Sequence, residues 1–137
     1  MRIPPSFLLA LLIAAPSAPS VRAADLCSPS QSTVDEVRCV REALKALDRK
    51  LEQAFARVAA EAKSVPGETY QVLWRENLTK FYRTTSDPRQ QADRFRTERR
   101  QACAFAKSVS FQGTGYGIFM TRCELALSKT MLDQLQP

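Results

Sequence analysis

The sequence predicts an all-α fold, a small disulfide-stapled bundle of about four helices that follows a cleaved signal peptide. Three observations predict this fold. Apolar residues recur at the three-and-four spacing of buried helix faces over most of the chain beyond residue 33. No segment shows the alternation of apolar and polar residues that is typical of a half-buried strand. The cysteines form an even set of four behind an export signal.

The export signal is predicted at residues 1–23. Arg2 precedes an apolar run at residues 7–15, and small residues stand at the −3 and −1 positions of a cleavage site after Ala23. The run is too short for a membrane span, which needs roughly 20 apolar residues. Cleavage would leave one domain at residues 24–137, and the loss of Arg2 and Arg22 would lower the formal net charge from +6 to +4. We therefore expect an exported protein, in the periplasm or outside the cell, without a transmembrane segment.

The composition argues against several kinds of catalysis. The chain has no histidine, hence no Ser–His or Cys–His base and no histidine metal ligand. A glycosidase needs two carboxylates that face each other across a substrate. We expect no enzyme, no cofactor and no metal site. The acids on the predicted helices are instead expected to be solvated: Asp35, Glu36, Asp48, Glu52 and Glu124.

The first helix is predicted from about Val34 to Ala62. Its start is indicated by a capping box, in which the Thr33 hydroxyl accepts from the third helical N–H and Glu36 reaches back to the Thr33 N–H. Pro66 cannot continue a helix and limits its end. The apolar stripe expected to face the core is Val34, Val37, Val40, Leu44, Leu47, Leu51, Phe55 and Val58.

Three further helices are predicted. The second covers residues 68–83. The third begins at the turn Ser86-Asp87-Pro88, where a capping oxygen precedes a first-turn proline, and ends near Lys107. The fourth follows a glycine-rich loop. The residues expected to face the core are Val72, Leu73, Leu78, Phe81 and Tyr82 on the second helix, Ala92, Phe95, Ala102, Cys103 and Ala106 on the third, and Ile118, Phe119, Cys123, Leu125, Leu127, Met131, Leu132 and Leu135 on the fourth.

The four cysteines are predicted to form two disulfides. An exported chain meets an oxidising compartment, and no C-x-x-C spacing indicates a zinc site. Four cysteines allow three connectivities. We favour Cys27–Cys39 and Cys103–Cys123, because each bridge closes a short segment whose helices have to be adjacent. Each would contribute about 3 kcal/mol of stability in the chain-entropy description.

The glycine-rich loop consists of Gly113, Thr114, Gly115, Tyr116 and Gly117. It opens a helix, as phosphate-binding loops do. It lacks the preceding strand and the Gly-Lys-Ser/Thr ending which that chemistry requires. A turn that brings two helices and a disulfide together is therefore the favoured interpretation.

The excess positive charge of the mature chain lies entirely within residues 75–100, which contain eight basic and four acidic residues. Such a face could bind anionic envelope polymer or lipid head groups. The simpler interpretation is a solvated helix face with internal pairs such as Arg94–Glu98. Nucleic acid is not expected as a partner, because the basic residues are not interleaved with an aromatic platform.

A framework of cysteines and helix residues spans about Asp25 to Leu135. It consists of Cys27 and Cys39, Asp48-x-x-Leu51-x-x-x-Phe55, Arg99-x-x-x-Cys103, the glycine-rich loop, and Cys123 with Leu127 and Leu135. This framework resembles the LprI-type lysozyme inhibitor domain. The resemblance implies a secreted or envelope-located helical domain that is stapled by disulfides and inhibits lysozyme.

The resemblance also implies roles for individual residues. Asp48 and Arg99 both stand at matching positions, and Arg99 shares a helical face with Cys103, so a partly buried structural ion pair is expected. Lysozyme is the expected protein partner, blocked by occupation of its cleft. On physical grounds we expect the loop at residues 113–117 to be the contact element, because a small, rigidly anchored loop can enter a cleft. The alternative is an envelope-binding module whose arginine-rich third helix holds anionic polymer or lipid.

Overall fold

The structure, a computed structural model, describes Cys27 and residues 32–136. The predicted signal peptide and its cleavage site lie outside these residues. The described part is all-α and contains no strand, as predicted from the sequence. Its helices are α1 (Thr33–Ser64), α2 (Glu68–Glu76) continued by a π-helical turn (Asn77–Phe81), α3 (Pro88–Ala106), a 3₁₀ turn (Ser108–Ser110) and α4 (Tyr116–Gln134).

Helix α1 is the long element against which the others assemble, and it packs chiefly against α4 and α3. The core lies along its middle, where Leu51 and Phe55 are buried against Ala92 of α3. The Phe55 and Phe95 rings lie 6.4 Å apart, centre to centre. Partly buried residues of α4 close the other side of this core: Met131, Leu132 and Leu135. None of the described helices is long and apolar enough to cross a membrane.

The predicted capping box at Thr33 is wrong by one residue. Ser32 is the N-cap of α1, and its hydroxyl accepts from the Asp35 backbone N–H at 3.3 Å. Glu36 does not reach back to Thr33. Its carboxylate accepts from Arg122 of α4, at 2.6 Å from Nη2. Ser is the better N-cap of the two residue types, and Glu36, which would have completed a capping box at Thr33, is engaged by Arg122 instead.

The predicted inner face of the second helix is wrong except at Leu78. Val72, Leu73, Phe81 and Tyr82 are exposed. The half-buried residues are Gln71, Trp74 and Leu78, at helical spacing, and the side chains of Trp74 and Leu78 face α1 across a small apolar crevice. Gln71 Nε2 donates to the Ala62 and Val65 carbonyls at 2.9 and 3.0 Å. A polar residue faces inward here because the end of α1 presents carbonyl groups without helical partners.

Helices α3 and α4 depart from their predicted stripes as well. On α3, Ala102 and Ala106 are exposed. On α4, Phe119 and Leu127 point outward, and the buried residues are Ile118, Leu125 and Ser128. The start of α3 agrees with the sequence, since Asp87 caps it by accepting from the Gln90 N–H at 2.8 Å, with Pro88 in the first turn.

The disulfides join Cys27 to Cys39 and Cys103 to Cys123, which is the connectivity favoured from the spacing. The Cα–Cα distances are 5.8 and 5.7 Å, within the normal range for disulfides. The first bridge fastens the segment before α1 to that helix. The second joins the end of α3 to the first turns of α4, and Cys103 is fully buried.

Candidate functional site

The connection between α3 and α4 is braced from below by the second disulfide. The chain leaves Cys103, completes α3, makes the 3₁₀ turn Ser108–Ser110 and enters α4 at Tyr116. Backbone hydrogen bonds hold the connection turn by turn, from the Gly113 N–H to the Ser110 carbonyl at 2.9 Å and from the Tyr116 N–H to the Gly113 carbonyl at 3.1 Å. The connection is therefore an ordered turn, not a slack loop.

From Ser108 onward, this connection carries no charge, and it exposes large apolar side chains. Residues 108–121, called the charge-free segment below, contain no Asp, Glu, Lys or Arg. Within the segment, Val109 is 97% exposed, Phe111 60% and Phe119 49%. Phe105, just before it, is 84% exposed. Single exposed apolar residues are ordinary on a protein surface, but a group of large ones on one short braced connection is typical of an interaction site.

The five loop residues singled out in the sequence lie within this segment, but they do not all project. Gly113, Thr114 and Gly117 are exposed, whereas Gly115 and Tyr116 are half-buried. Tyr116 and Gly117 already belong to the first turn of α4. The Tyr116 ring packs edge-on against Phe111, with 4.9 Å between ring centres. The loop predicted as the contact element therefore lies on this connection, but the large side chains exposed on it are mainly Val109 and Phe111.

Gly115 permits a close approach at the base of the segment. A Cβ atom at this position would lie 3.1 Å from the Phe119 ring, closer than ordinary van der Waals contact. At Gly113, a Cβ atom would lie 3.3 Å from the Ser110 carbonyl oxygen. These two glycines keep the turn compact, and they place Phe119 across it.

The predicted ion-pair residues, Asp48 and Arg99, are in contact, one helical turn of α3 before Cys103. Arg99, whose side chain is 3% exposed, donates to the Asp48 carboxylate of α1 and, through Nε, to Glu124 of α4 at 3.2 Å. Its Nη1 also donates to the Ser128 hydroxyl at 2.7 Å. Glu124 is therefore a structural partner and not the solvated acid expected from the sequence. The Arg99 guanidinium also lies over the Phe95 ring, 5.7 Å from its centre.

Half of the basic residues predicted to charge helices 2 and 3 are paired with carboxylates within the fold. Of the eight basic residues in the window 75–100, four pair with carboxylates: Lys80 with Glu76, Arg94 with Glu98, Arg96 with Glu52 and Asp93, and Arg99 as described. Arg75, Arg83, Arg89 and Arg100 make no ion pair within the described part of the chain. Arg75 lies on α2, Arg83 follows the π-helical turn, and Arg89 and Arg100 lie near opposite ends of α3, so the window does not form one concentrated anion-binding face.

A surface groove adjoins the charge-free segment. Its volume is about 620 Å³, and it lies between α1, the end of α3 and the first turns of α4. Tyr116 lines the groove from one side, and three basic residues line it from the others: Arg41, Lys45 and Arg100. The Lys45 ammonium lies 2.8 Å from Glu42, and this hydrogen bond holds the pKa of the Glu42 carboxyl below its usual value.

Val109 and Phe111 were missed in the sequence because they stand between a predicted helix end and a predicted loop, where no periodicity applies. The signal that could have found them is the absence of charge from residues 108–121. A long uncharged segment with large apolar residues is typical either of a buried core or of an interaction site.

Comparison with known proteins supports one family. The family model for lysozyme inhibitor LprI matches residues 25–135, which is most of the chain and includes both disulfides and all four helices. Comparisons with curated proteins and with solved structures gave no significant match. The match over residues 25–135 places this chain in the LprI family of lysozyme inhibitors.

Proposed function

We propose that this protein is an exported, non-enzymatic inhibitor that binds a lysozyme and blocks its cleft with the charge-free segment. The family supports the partner, since LprI is described as a lysozyme inhibitor. The two disulfides support export, because such bonds persist in oxidising compartments. The observation that carries the choice of surface is the exposure of Val109 and Phe111 on a braced, uncharged connection.

The energetics of this segment favour protein binding. Burial of a large apolar side chain such as Phe111 contributes roughly 1.5–3 kcal/mol, and a few such residues dominate most interfaces. The Cys103–Cys123 bridge and the turn hydrogen bonds hold the segment in place before binding. Association therefore loses less conformational entropy than it would with a slack loop. A short rigid projection of this kind suits a concave partner.

The absence of charge also matters for a basic partner. A mature domain of charge +4 is repelled at long range by a lysozyme of the basic animal type. Contact through residues 108–121 places no cation of the segment itself against the enzyme surface. The segment thus allows close approach where the charged helix faces would not.

A second exposed apolar surface lies on α2 and the π-helical turn, with Leu73, Phe81 and Tyr82. It is interrupted by charged residues, including Arg75 and Lys80, and no disulfide braces it. These differences make the charge-free segment the better candidate. They also make Phe81, which is 72% exposed, a matched control residue.

The experiment compares Phe111→Ser and Val109→Ser with Phe81→Ser in lysis assays of bacterial cell walls by lysozyme. All three side chains are exposed, so the melting temperatures should stay close to that of the unmodified protein. We expect the first two changes to weaken inhibition about tenfold or more, as hot-spot residues do, and the third to leave it unchanged. Equal inhibition by all three variants would show that the segment is not the contact, and no inhibition by the unmodified protein would refute the function.

A further inference from the structure

The groove beside the charge-free segment contains two arginines that the fold itself does not use. Arg41 of α1 and Arg100 of α3 line the groove and make no ion pair with any residue in the described ranges, Cys27 and 32–136. Lys45 is engaged by Glu42. The two carboxylates on the groove wall, Asp48 and Glu124, are occupied by the buried Arg99.

The groove and the charge-free segment form one continuous surface. Tyr116 belongs to both, since its ring packs on Phe111 and its side chain lines the groove next to the arginines. A partner that covers Phe111 therefore also comes within reach of Arg41 and Arg100. Long guanidinium side chains extend readily from helix surfaces toward such a partner.

We propose that Arg41 and Arg100 bind the two catalytic carboxylates of the lysozyme cleft while the charge-free segment covers the surrounding apolar wall. This inference rests on the proposed function. Lysozymes cleave glycosidic bonds with a pair of carboxyl groups, which in retaining enzymes lie about 5–5.5 Å apart. Guanidinium groups match carboxylates with two parallel hydrogen bonds, which makes arginine the suitable residue for this role.

The arrangement explains how a basic inhibitor can bind a basic enzyme. Net charges repel at long range, but the interface itself would pair two cations with the two acids that the enzyme concentrates in its cleft. Substrate and inhibitor would then compete for the same carboxylates. The apolar contact supplies affinity, and the ion pairs fix the register of the segment in the cleft.

The test is a double-mutant cycle across the interface, measured as dissociation constants by calorimetry. The inhibitor variants are Arg41→Gln, Arg100→Gln and their combination, with Arg75→Gln on α2 as a control whose charge change equals that of each single variant. The enzyme is used unmodified and as a variant whose catalytic glutamic acid is replaced by glutamine. All inhibitor variants retain both disulfides, and their melting temperatures are checked first.

We expect the combined variant to bind unmodified lysozyme about 30-fold more weakly or worse, which is typical of removing one side of a buried charge pair. Against the amide enzyme the same change should have a clearly smaller effect, because one carboxylate is already gone. Arg75→Gln should behave as unmodified protein in both cases.

Three results would overturn the inference. If the arginine variants bind unmodified lysozyme as tightly as the unmodified inhibitor while Phe111→Ser fails to bind, the groove has no role and only the proposed function stands. If they lose the same factor against both enzymes, the arginines act elsewhere on the lysozyme surface. If the unmodified inhibitor binds no lysozyme, both the proposed function and this inference are wrong.

Discussion

Arg99 and Asp48 form a two-point contact between α3 and α1, with Nη1 at 2.5 Å from Oδ1 and Nη2 at 3.2 Å from Oδ2. The same guanidinium also holds Glu124 of α4, so one buried side chain ties three helices together. A buried charge is tolerated only when its partners satisfy it. Substitutions at Arg99, Asp48 or Glu124 should therefore be tolerated only when they leave no buried charge unpaired.

The first prediction concerns Arg99→Met. It should cost about 3–5 kcal/mol of unfolding free energy, because Glu124 then loses its cation and Asp48 keeps only the more distant Arg96, 3.8 Å away. Adding Asp48→Asn and Glu124→Gln should recover part of that loss, since no uncompensated carboxylate remains. Denaturant titrations of the single and triple variants measure this. Additive losses would show that the three residues do not act as one unit.

The sequence predicted the fold class, the disulfide pairing and the Asp48–Arg99 ion pair better than it predicted which helix faces are buried. Leu51 and Phe55 of α1 are buried as expected, because a long helix at the centre of a bundle has a continuous inner stripe. The outward positions of Leu73 and Phe119 could not be inferred. The chain leaves the π-helical turn through Arg83, which has a left-handed φ of 54°, and Gly115 admits the Phe119 ring; neither feature follows from the apolar spacing.

The inward-facing polar residues were equally difficult to foresee. Ser128 on α4 and Gln71 on α2 occupy positions where a hydrophobic pattern predicts apolar side chains. Each is there because of a partner distant in sequence, Arg99 in one case and the last carbonyls of α1 in the other. Local periodicity carries no information about such partners.

The second prediction separates the two disulfides. Replacing Cys103 and Cys123 together by serine should cost about 3 kcal/mol in the chain-entropy description, and so should replacing Cys27 and Cys39. Only the first pair braces the charge-free segment. Inhibition per folded molecule should therefore fall in the Cys103/Cys123 variant and be retained in the Cys27/Cys39 variant. The fraction folded is measured by circular dichroism at the assay temperature. If the two variants inhibit equally per folded molecule, the Cys103–Cys123 bridge is not needed for inhibition.

The third prediction concerns Gly117→Ala in the first turn of α4. Nothing lies within 4 Å of the added Cβ, and the backbone is helical without a positive φ. Alanine loses less conformational entropy than glycine, so stability should rise by roughly 0.5–1 kcal/mol. Gly115→Ala is the matched comparison: its Cβ meets the Phe119 ring at 3.1 Å, which should offset the gain. Thermal melts of the two variants decide it, and an equal rise in both would mean that the Phe119 ring moves aside at no cost.

The last prediction uses charge to separate inhibition from envelope binding. Arg75 and Arg89 make no ion pair within the described residues and lie outside the charge-free segment, so reversal to glutamate leaves the contact intact. An acid at Arg89, in the first turn of α3, is also compatible with the helix dipole. The double reversal should raise the association rate with a basic lysozyme a few-fold at low salt and leave the dissociation rate unchanged, because it removes repulsion only at long range. The rate gain should vanish at high salt, where such fields are screened.

If the protein instead acts by holding anionic polymer, the same variant should lose that attachment, and the association rate with lysozyme should not depend on these charges. Stopped-flow mixing at two ionic strengths, alongside retention on an anionic polymer, measures both outcomes in the same preparation.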